Sequence, residues 1–205
     1  MENENGQHTD PIPDEAFVQL RAAEAGKPAA VRFLAFNTVV DIEAYGEDGA
    51  CAAAFDEARA LCRTYERLFS RTLPHSDIAR VNGAGGAAVA VDPLTYDLLS
   101  RAAAYCAASE SAFDITVGPA VRLWNFHEGT VPDPDALAEA VRHVDWRQLK
   151  LWKEGGACLA RLADPAAAVD AGGIAKGWIA DRLIDALAAH DLGGMALHVS
   201  RDVGI

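Results

Sequence analysis

The run Asp170-Ala171-Gly172-Gly173-Ile174-Ala175-Lys176-Gly177 gathers an acid, two adjacent glycines and a lysine in a few residues. An apolar stretch, Ala166 to Val169, precedes it and reads as a strand end. Ile174, Trp178, Ile184 and Leu187 follow at helical spacing. The charged and flexible residues therefore sit where a strand turns into a helix. A helix N-terminus exposes N–H groups whose summed dipole favours an anion, phosphate above all. Glycines there permit φ > 0 and close approach of the backbone to a ligand. Lys176, on the first helical turn, adds a full positive charge. Asp170 either receives a hydrogen bond from a ligand, helps place a cation, or only caps the helix. The run is neither a Walker A loop nor a GxGxxG fingerprint, so taken alone it leaves the phosphate site and the plain capped turn both open.

Two other stretches are dense in functional residue types. Ser109 to Phe126 mixes turn residues, one acid and aromatics without a clean period. Asp114 lies between Phe113 and Ile115, and a part-buried acid needs a partner. Trp124 and Phe126 are read as core aromatics ahead of ligand contacts. Ser70 to Asn82 carries Arg71, Thr72, His75, Ser76 and Asp77 around Pro74. Ser76 is a good N-cap for a short helical turn, and the polar residues before it suit a solvated loop equally well.

The elements that must hold these stretches follow from periodicity. Ala16 to Ala25 reads as a short leading helix after a polar tail, Met1 to Glu15. Residues 31 to 45 read as strand, with Val40, Ile42 and Ala44 alternating against polar neighbours. Phe36-Asn37-Thr38 interrupts that strand as a bulge or pocket rim. Ala50 to Phe69 is an amphipathic helix with Ala54, Ala58, Leu61, Cys62, Tyr65, Leu68 and Phe69 on one face. Asp92-Pro93 and Asp133-Pro134 each open a helix, acid at the cap and proline at the first position. Gln148 to Trp152 and Cys158 to Leu162 flank a hairpin turn. Leu192-Gly193-Gly194 reads as a turn before a strand from Met195. The pattern is α+β: a mixed, largely antiparallel sheet with flanking helices, with residues 31–205 as one domain.

Composition narrows the partners. With 205 residues, 51% hydrophobic, the chain can build a proper core. Its net charge of −12 argues against nucleic acid or an anionic membrane as the main partner. It does not exclude a small anion held by a local lysine. No apolar run approaches the ~20 residues of a membrane span. No export signal is visible at the N-terminus, which makes the cytoplasm the default compartment. Cys51, Cys62, Cys106 and Cys158 form no CxxC pair and read as reduced core residues. The six histidines show no zinc-ligand spacing.

Taken in order, four stretches resemble the FAD:protein FMN transferases, the ApbE-type flavin transferases. Phe36-Asn37-Thr38 stands where that family has Met-Gly-Thr. Phe69-Ser70-Arg71 through Asn82 is similar to its Ser-rich loop and Ser-[DE]-Ile-x-x-x-Asn segment. Ala112-Phe113-Asp114-Ile115-Thr116-Val117-Gly118-Pro119 with Leu123-Trp124 is similar to its Phe-Asp-x-Thr-Val-Gly-Pro…Leu-Trp motif. Asp170 to Gly177 is similar to its Asp-x-Gly-Gly-Ile-Ala-Lys-Gly motif. The resemblance covers about Phe33 to Leu197.

It implies cleavage of the FAD pyrophosphate, transfer of FMN to a Thr or Ser hydroxyl of an acceptor flavoprotein, and release of AMP. It implies Mg2+ as the ion, with the Gly173 carbonyl as one ligand. It puts Asp170 and Lys176 at the pyrophosphate, and Phe36, Thr72, Ala112, Phe113 and Asp114 around the flavin or adenosine. A non-catalytic FAD-binding module and an unrelated nucleotide phosphatase are the competing readings. Two departures stand out. Phe36 and Asn37 replace the family's Met and Gly, and Ser200-Arg201-Asp202 replaces a Gly-Gly-Asp. The family's later Asp and Thr metal ligands have no counterpart before Ile205. The expectation is a chain shortened as a fragment or by a shifted frame, with poor or no transferase activity.

Overall fold

The computed structural model describes residues 17–36, 38–124, 129 and 131–200. The polar tail to Glu15, Asn37, Phe126 and Arg201 to Ile205 lie outside the described residues. In chain order the elements are β1 (Val18–Arg21), β2 (Ala29–Ala35), β3 (Thr38–Gly46), α1 (Asp48–Phe69), α2 (Asp77–Gly83), β4 (Val89–Val91), α3 (Pro93–Ala108), α4 (Gly118–Val121), α5 (Pro134–Val141), β5 (Leu149–Glu154), β6 (Ala157–Leu162), α6 (Ala175–Leu187) and β7 (Leu192–Ser200). They divide into two compact units: residues up to 67 together with those from 176 onward, and residues 68–175.

The first unit is built on a sheet of order β1-β2-β3-β7, every pair antiparallel. Val31, Phe33 and Ala35 of β2 alternate inward, as do Val40, Ile42 and Ala44 of β3. The outward positions carry an Arg32–Asp41 ion pair between the neighbouring strands β2 and β3, and an Arg21–Glu43 pair that spans from β1 over β2 to β3. On the buried side α1 contributes Cys51, Ala54, Phe55, Ala58, Cys62 and Tyr65, and α6 contributes Trp178, Ile179, Leu183 and Leu187. Tyr65 meets Trp178 edge to face at 5.3 Å, a geometry that adds to simple burial. Burial pushes the Cys62 thiol up to about 12, so it stays a neutral core side chain.

The second unit carries a sheet of order β4-β6-β5, with α2 and α3 against it. Leu98, Leu99, Ala102 and Cys106 of α3 are fully buried with Ile78 and Val81 of α2. The acid-proline starts behave as expected: Asp92 accepts from Leu94 N–H, and Asp133 from Asp135 and Ala136 N–H. Asp77 is buried and structural. Its carboxylate receives the Thr95 hydroxyl at 2.7 Å, the Asp92 N–H at 2.7 Å and Arg80.

Several expectations need correction. Ala16 to Ala25 holds a strand, not a helix: β1 pairs with β2 from Val18↔Phe33 to Arg21↔Ala30. The short segment gains more from backbone pairing than from an isolated helical turn, which nucleates poorly. The strand expected over residues 31–45 is a hairpin, closing at the Ala35↔Thr38 pair. Gly193 and Gly194 lie within β7, where Gly194 pairs with Tyr45. Ile184 is 47% exposed, and Leu183 takes its place in the core. Trp124, expected inside, is 38% exposed. All four cysteines are free and buried, as expected.

Candidate active site

Within residues 68–175, three separate stretches meet at Val169-Asp170. The Asp170 N–H donates to the Ile115 carbonyl at 2.9 Å, and the Gly118 N–H to the Ala168 carbonyl at 3.0 Å. Val117 and Ala168 form a parallel bridge. A Cβ at Gly118 would stand 2.5 Å from the Ala168 oxygen, so only glycine fits beside that backbone. From α2, Asn82 Nδ2 donates to the Val169 carbonyl at 2.9 Å while its Oδ1 accepts the Val169 N–H at 2.7 Å.

Asp170 caps a 3-10 turn, Ala171–Gly173, accepting the Gly172 N–H at 2.8 Å. Its other oxygen receives Arg71 Nη1 at 3.2 Å. The acid is therefore both a cap and one half of an ion pair with a half-exposed cation. Neither Gly172 nor Gly173 has positive φ. Their need is space: a Cβ on Gly172 would lie 3.0 Å from Asp170 Oδ1, and one on Gly173 3.1 Å from the Phe113 ring. Phe113 thus lies against Gly173, which brings the two motifs side by side. α6 begins at Ala175, so Lys176 is on its first turn, as expected.

The approach to Phe113 is strained. Glu110 (φ 52°) and Ser111 (φ 68°) are consecutive non-glycine residues in the left-handed region, a conformation costing about 1–3 kcal/mol each and clustered at functional sites. The Ser111 N–H donates to the Cys106 carbonyl, and the Ser111 hydroxyl accepts Trp146 Nε1 at 3.2 Å. Asp114 has its oxygens engaged close by. Oδ1 accepts the Thr116 N–H and hydroxyl at 2.8 and 2.6 Å, and Oδ2 accepts the Trp146 N–H at 3.0 Å. The partners that a part-buried acid needs are thus two backbone N–H groups and the Thr116 hydroxyl. Thr72 is exposed next to Arg71, with its hydroxyl 3.1 Å from Ser70 Oγ. Ala112 is exposed, its N–H bonded to the Ser109 carbonyl.

Asp170, Gly173 and Phe113 are brought together. Asp114 is one residue from the Ile115 ladder bond, and Thr72 follows the arginine paired to Asp170. Phe36 and Lys176 belong to the other unit. Arg71, Asn82 and Trp146 are the residues that sequence reasoning left without a role. Their partners are remote in the chain, and no local period marks them.

The donor set bears on magnesium. Among the described residues, no three His, Cys, Asp or Glu side chains are grouped to hold a metal. Both Asp170 oxygens already accept from the protein. Magnesium is normally held by one or two carboxylates besides phosphate oxygens. These residues do not make a magnesium site by themselves.

Residues 36–204 match the ApbE family. The chain belongs to the ApbE family. An FAD:protein FMN transferase of Treponema pallidum is 36% identical over 176 residues, covering 78% of this chain and 49% of its own length. One from Klebsiella pneumoniae is 32% identical over 149 residues, covering 71% of this chain and 46% of its own. The chain thus spans about half the length of these relatives. Among solved structures, the ApbE protein of Thermotoga maritima superposes with a TM-score of 0.73 at 24% identity, over 83% of this chain and 56% of that one. The flavinyl transferase ApbE of Pseudomonas stutzeri gives 0.72 at 22% identity, over 85% and 59%. These likenesses establish the α+β ApbE fold, with its antiparallel sheets and flanking helices.

Proposed function

We propose that this ApbE-family chain acts as an FAD:protein FMN transferase. The acceptor is a flavoprotein presenting a Thr or Ser hydroxyl. The hydroxyl oxygen forms a bond to the FMN phosphorus of FAD, the pyrophosphate P–O bond to AMP breaks, and the hydroxyl proton is lost to a base or solvent. The observation that carries the reading is the pairing of the Phe113-Asp114 and Asp170-Gly173 segments, with Phe113 against Gly173. In-line phosphoryl transfer depends on positioning and charge compensation more than on covalent help.

Arg71, paired to Asp170 and about half exposed, is the side chain suited to meet phosphate oxygens, since guanidinium matches them bidentately. Asp170 then orients Arg71 as well as capping the turn. Phe113 offers an aromatic face; Ala112, its neighbour in sequence, and Thr72, next to Arg71, offer exposed small surfaces. Asp114 acts by fixing the loop through Thr116 and Trp146. Phe36 and Lys176, in the other unit, are proposed as FAD contacts on the resemblance alone. Magnesium is proposed on the same ground, with the Gly173 carbonyl as its ligand from this chain. No step is assigned through the ion.

A non-catalytic FAD-binding role is the second reading, favoured by the internal engagement of both Asp170 oxygens. The deciding experiment incubates the chain with FAD, Mg2+ and candidate flavoproteins, then follows covalent FMN by mass spectrometry and AMP by chromatography. Covalent FMN with equal AMP supports the transferase. FAD binding without AMP supports the binding module. AMP without covalent FMN supports a phosphatase.

A further inference from the structure

Phe36 is the first residue past β2, and its φ of 57° puts a bulky aromatic in the left-handed region. An aromatic residue is a genuine outlier there, where glycine would sit without strain. Such conformations persist only where the surroundings impose them. One constraint is specific. The Phe36 N–H donates to Glu66 Oε1 at 2.9 Å, across thirty residues of sequence. Glu66 lies on α1 and its other oxygen receives Arg63 Nη1 at 3.1 Å. Side-chain exposures of 8% for Arg63 and 12% for Glu66 make this a buried ion pair. The Arg63 guanidinium also stands 6.0 Å over the Phe33 ring, on the strand that leads to Phe36.

A buried ion pair is rarely kept for stability, because desolvation offsets most of the attraction. This one has a directional product: a charged acceptor aimed at one backbone N–H of a strained turn. We propose that Glu66, supported by Arg63, is a positioning residue that holds Phe36 in its left-handed conformation and so sets how tightly the chain binds the flavin dinucleotide. This rests on the reading of Phe36 as an FAD contact. Glu66 touches no ligand; it acts through Phe36.

The experiment is a double-mutant cycle on the whole chain, read by flavin fluorescence titration with FAD. Exchange of the Phe36 amide in protein labelled with 15N-phenylalanine is measured without ligand. Glu66→Ala is expected to weaken FAD binding about tenfold, the scale of one lost charge-assisted hydrogen bond, and to expose the Phe36 amide to exchange. Glu66→Gln, which keeps an acceptor oxygen, is expected to retain most amide protection and to weaken binding less. Phe36→Gly weakens binding itself but relieves the strain. Adding Glu66→Ala to it is then expected to cost nothing further.

Equal, additive losses in both backgrounds would show an effect on the fold at large and overturn the inference. So would a folded Glu66→Ala protein that loses Phe36 amide protection yet binds FAD like the wild type. Should Glu66→Ala not fold, the same cycle is run with Glu66→Gln, whose smaller loss must likewise vanish beside Phe36→Gly. Failure of the wild-type chain to bind FAD overturns the FAD reading and this inference together, whereas the outcomes above overturn the inference alone.

Discussion

The side-chain amide of Asn82 bonds both the N–H and the C=O of Val169, as a neighbouring strand would. One residue thereby substitutes for a strand beside the segment that ends in Asp170. Val169 is 1% exposed, so both of its backbone groups depend on this partner.

Asn82→Asp should therefore be more harmful than its size suggests. The carboxylate accepts from Val169 N–H but faces the Val169 carbonyl with no donor. The expected loss is about 1–3 kcal/mol, the cost of an unsatisfied buried group. Urea unfolding checks it, and a loss below about 0.5 kcal/mol would deny the strand-like role.

Asp170→Asn separates capping from charge. Asn caps about as well as Asp, and an ion pair to an exposed arginine is worth at most ~1 kcal/mol. Stability should stay nearly constant while FAD affinity falls, with Arg71→Ala causing a similar fall. Thermal melts and fluorescence titration read the two effects separately. Unchanged affinity in both variants would leave Asp170 as a cap only.

Gly173→Ala tests the contact with Phe113. The new Cβ would crowd the ring at 3.1 Å and displace it, so FAD binding should weaken. Phe113→Leu, with a smaller side chain, should make the protein indifferent to the same change at residue 173. Non-additivity in titration is the expected signature.

A pH dependence follows from Asp164. The His143 ring nitrogen, 2.7 Å away, holds its carboxyl below the ordinary carboxylate value, with the Ala166 N–H helping. A depressed acid contributes stability that is present above its unfolded pKa and lost as pH falls through its folded one. Wild type and Asp164→Asn should therefore differ most at neutral pH and converge in acid, as pH falls through the lowered value of the folded carboxyl. Melting temperatures from pH 2 to pH 7 read the difference.

The sequence announced those parts of the fold that rest on local chemistry. Asp92-Pro93, Asp133-Pro134 and the Ser76 cap sit at true helix starts, and the face of α1 from Ala54 to Phe69 is buried or half-buried. β1 was missed because four residues carry too little period to separate a strand from a helix. The motifs around Asp114 and Asp170 were visible as compositions, but their functions inside the molecule were not. Arg71 lies 99 residues from Asp170, and Asn82 lies 87 from Val169. Nothing in either segment specifies its partner. Adjacent glycines suggest freedom of φ, yet Gly172 and Gly173 matter for clearance, which only the neighbouring Asp170 and Phe113 define.

Those long separations have a kinetic meaning. The Arg71–Asp170 and Asn82–Val169 contacts close loops of 99 and 87 residues, and such closures must be bought in chain entropy before they return any bonding. On a ribosome, Arg71 and Asn82 emerge long before the residues they grasp. Until then β4 has no β6 to pair with, and Asn82 has no backbone to read. The turn at Asp170 is thus a late product of folding, assembled only after the polypeptide between Arg71 and Asp170 has been made.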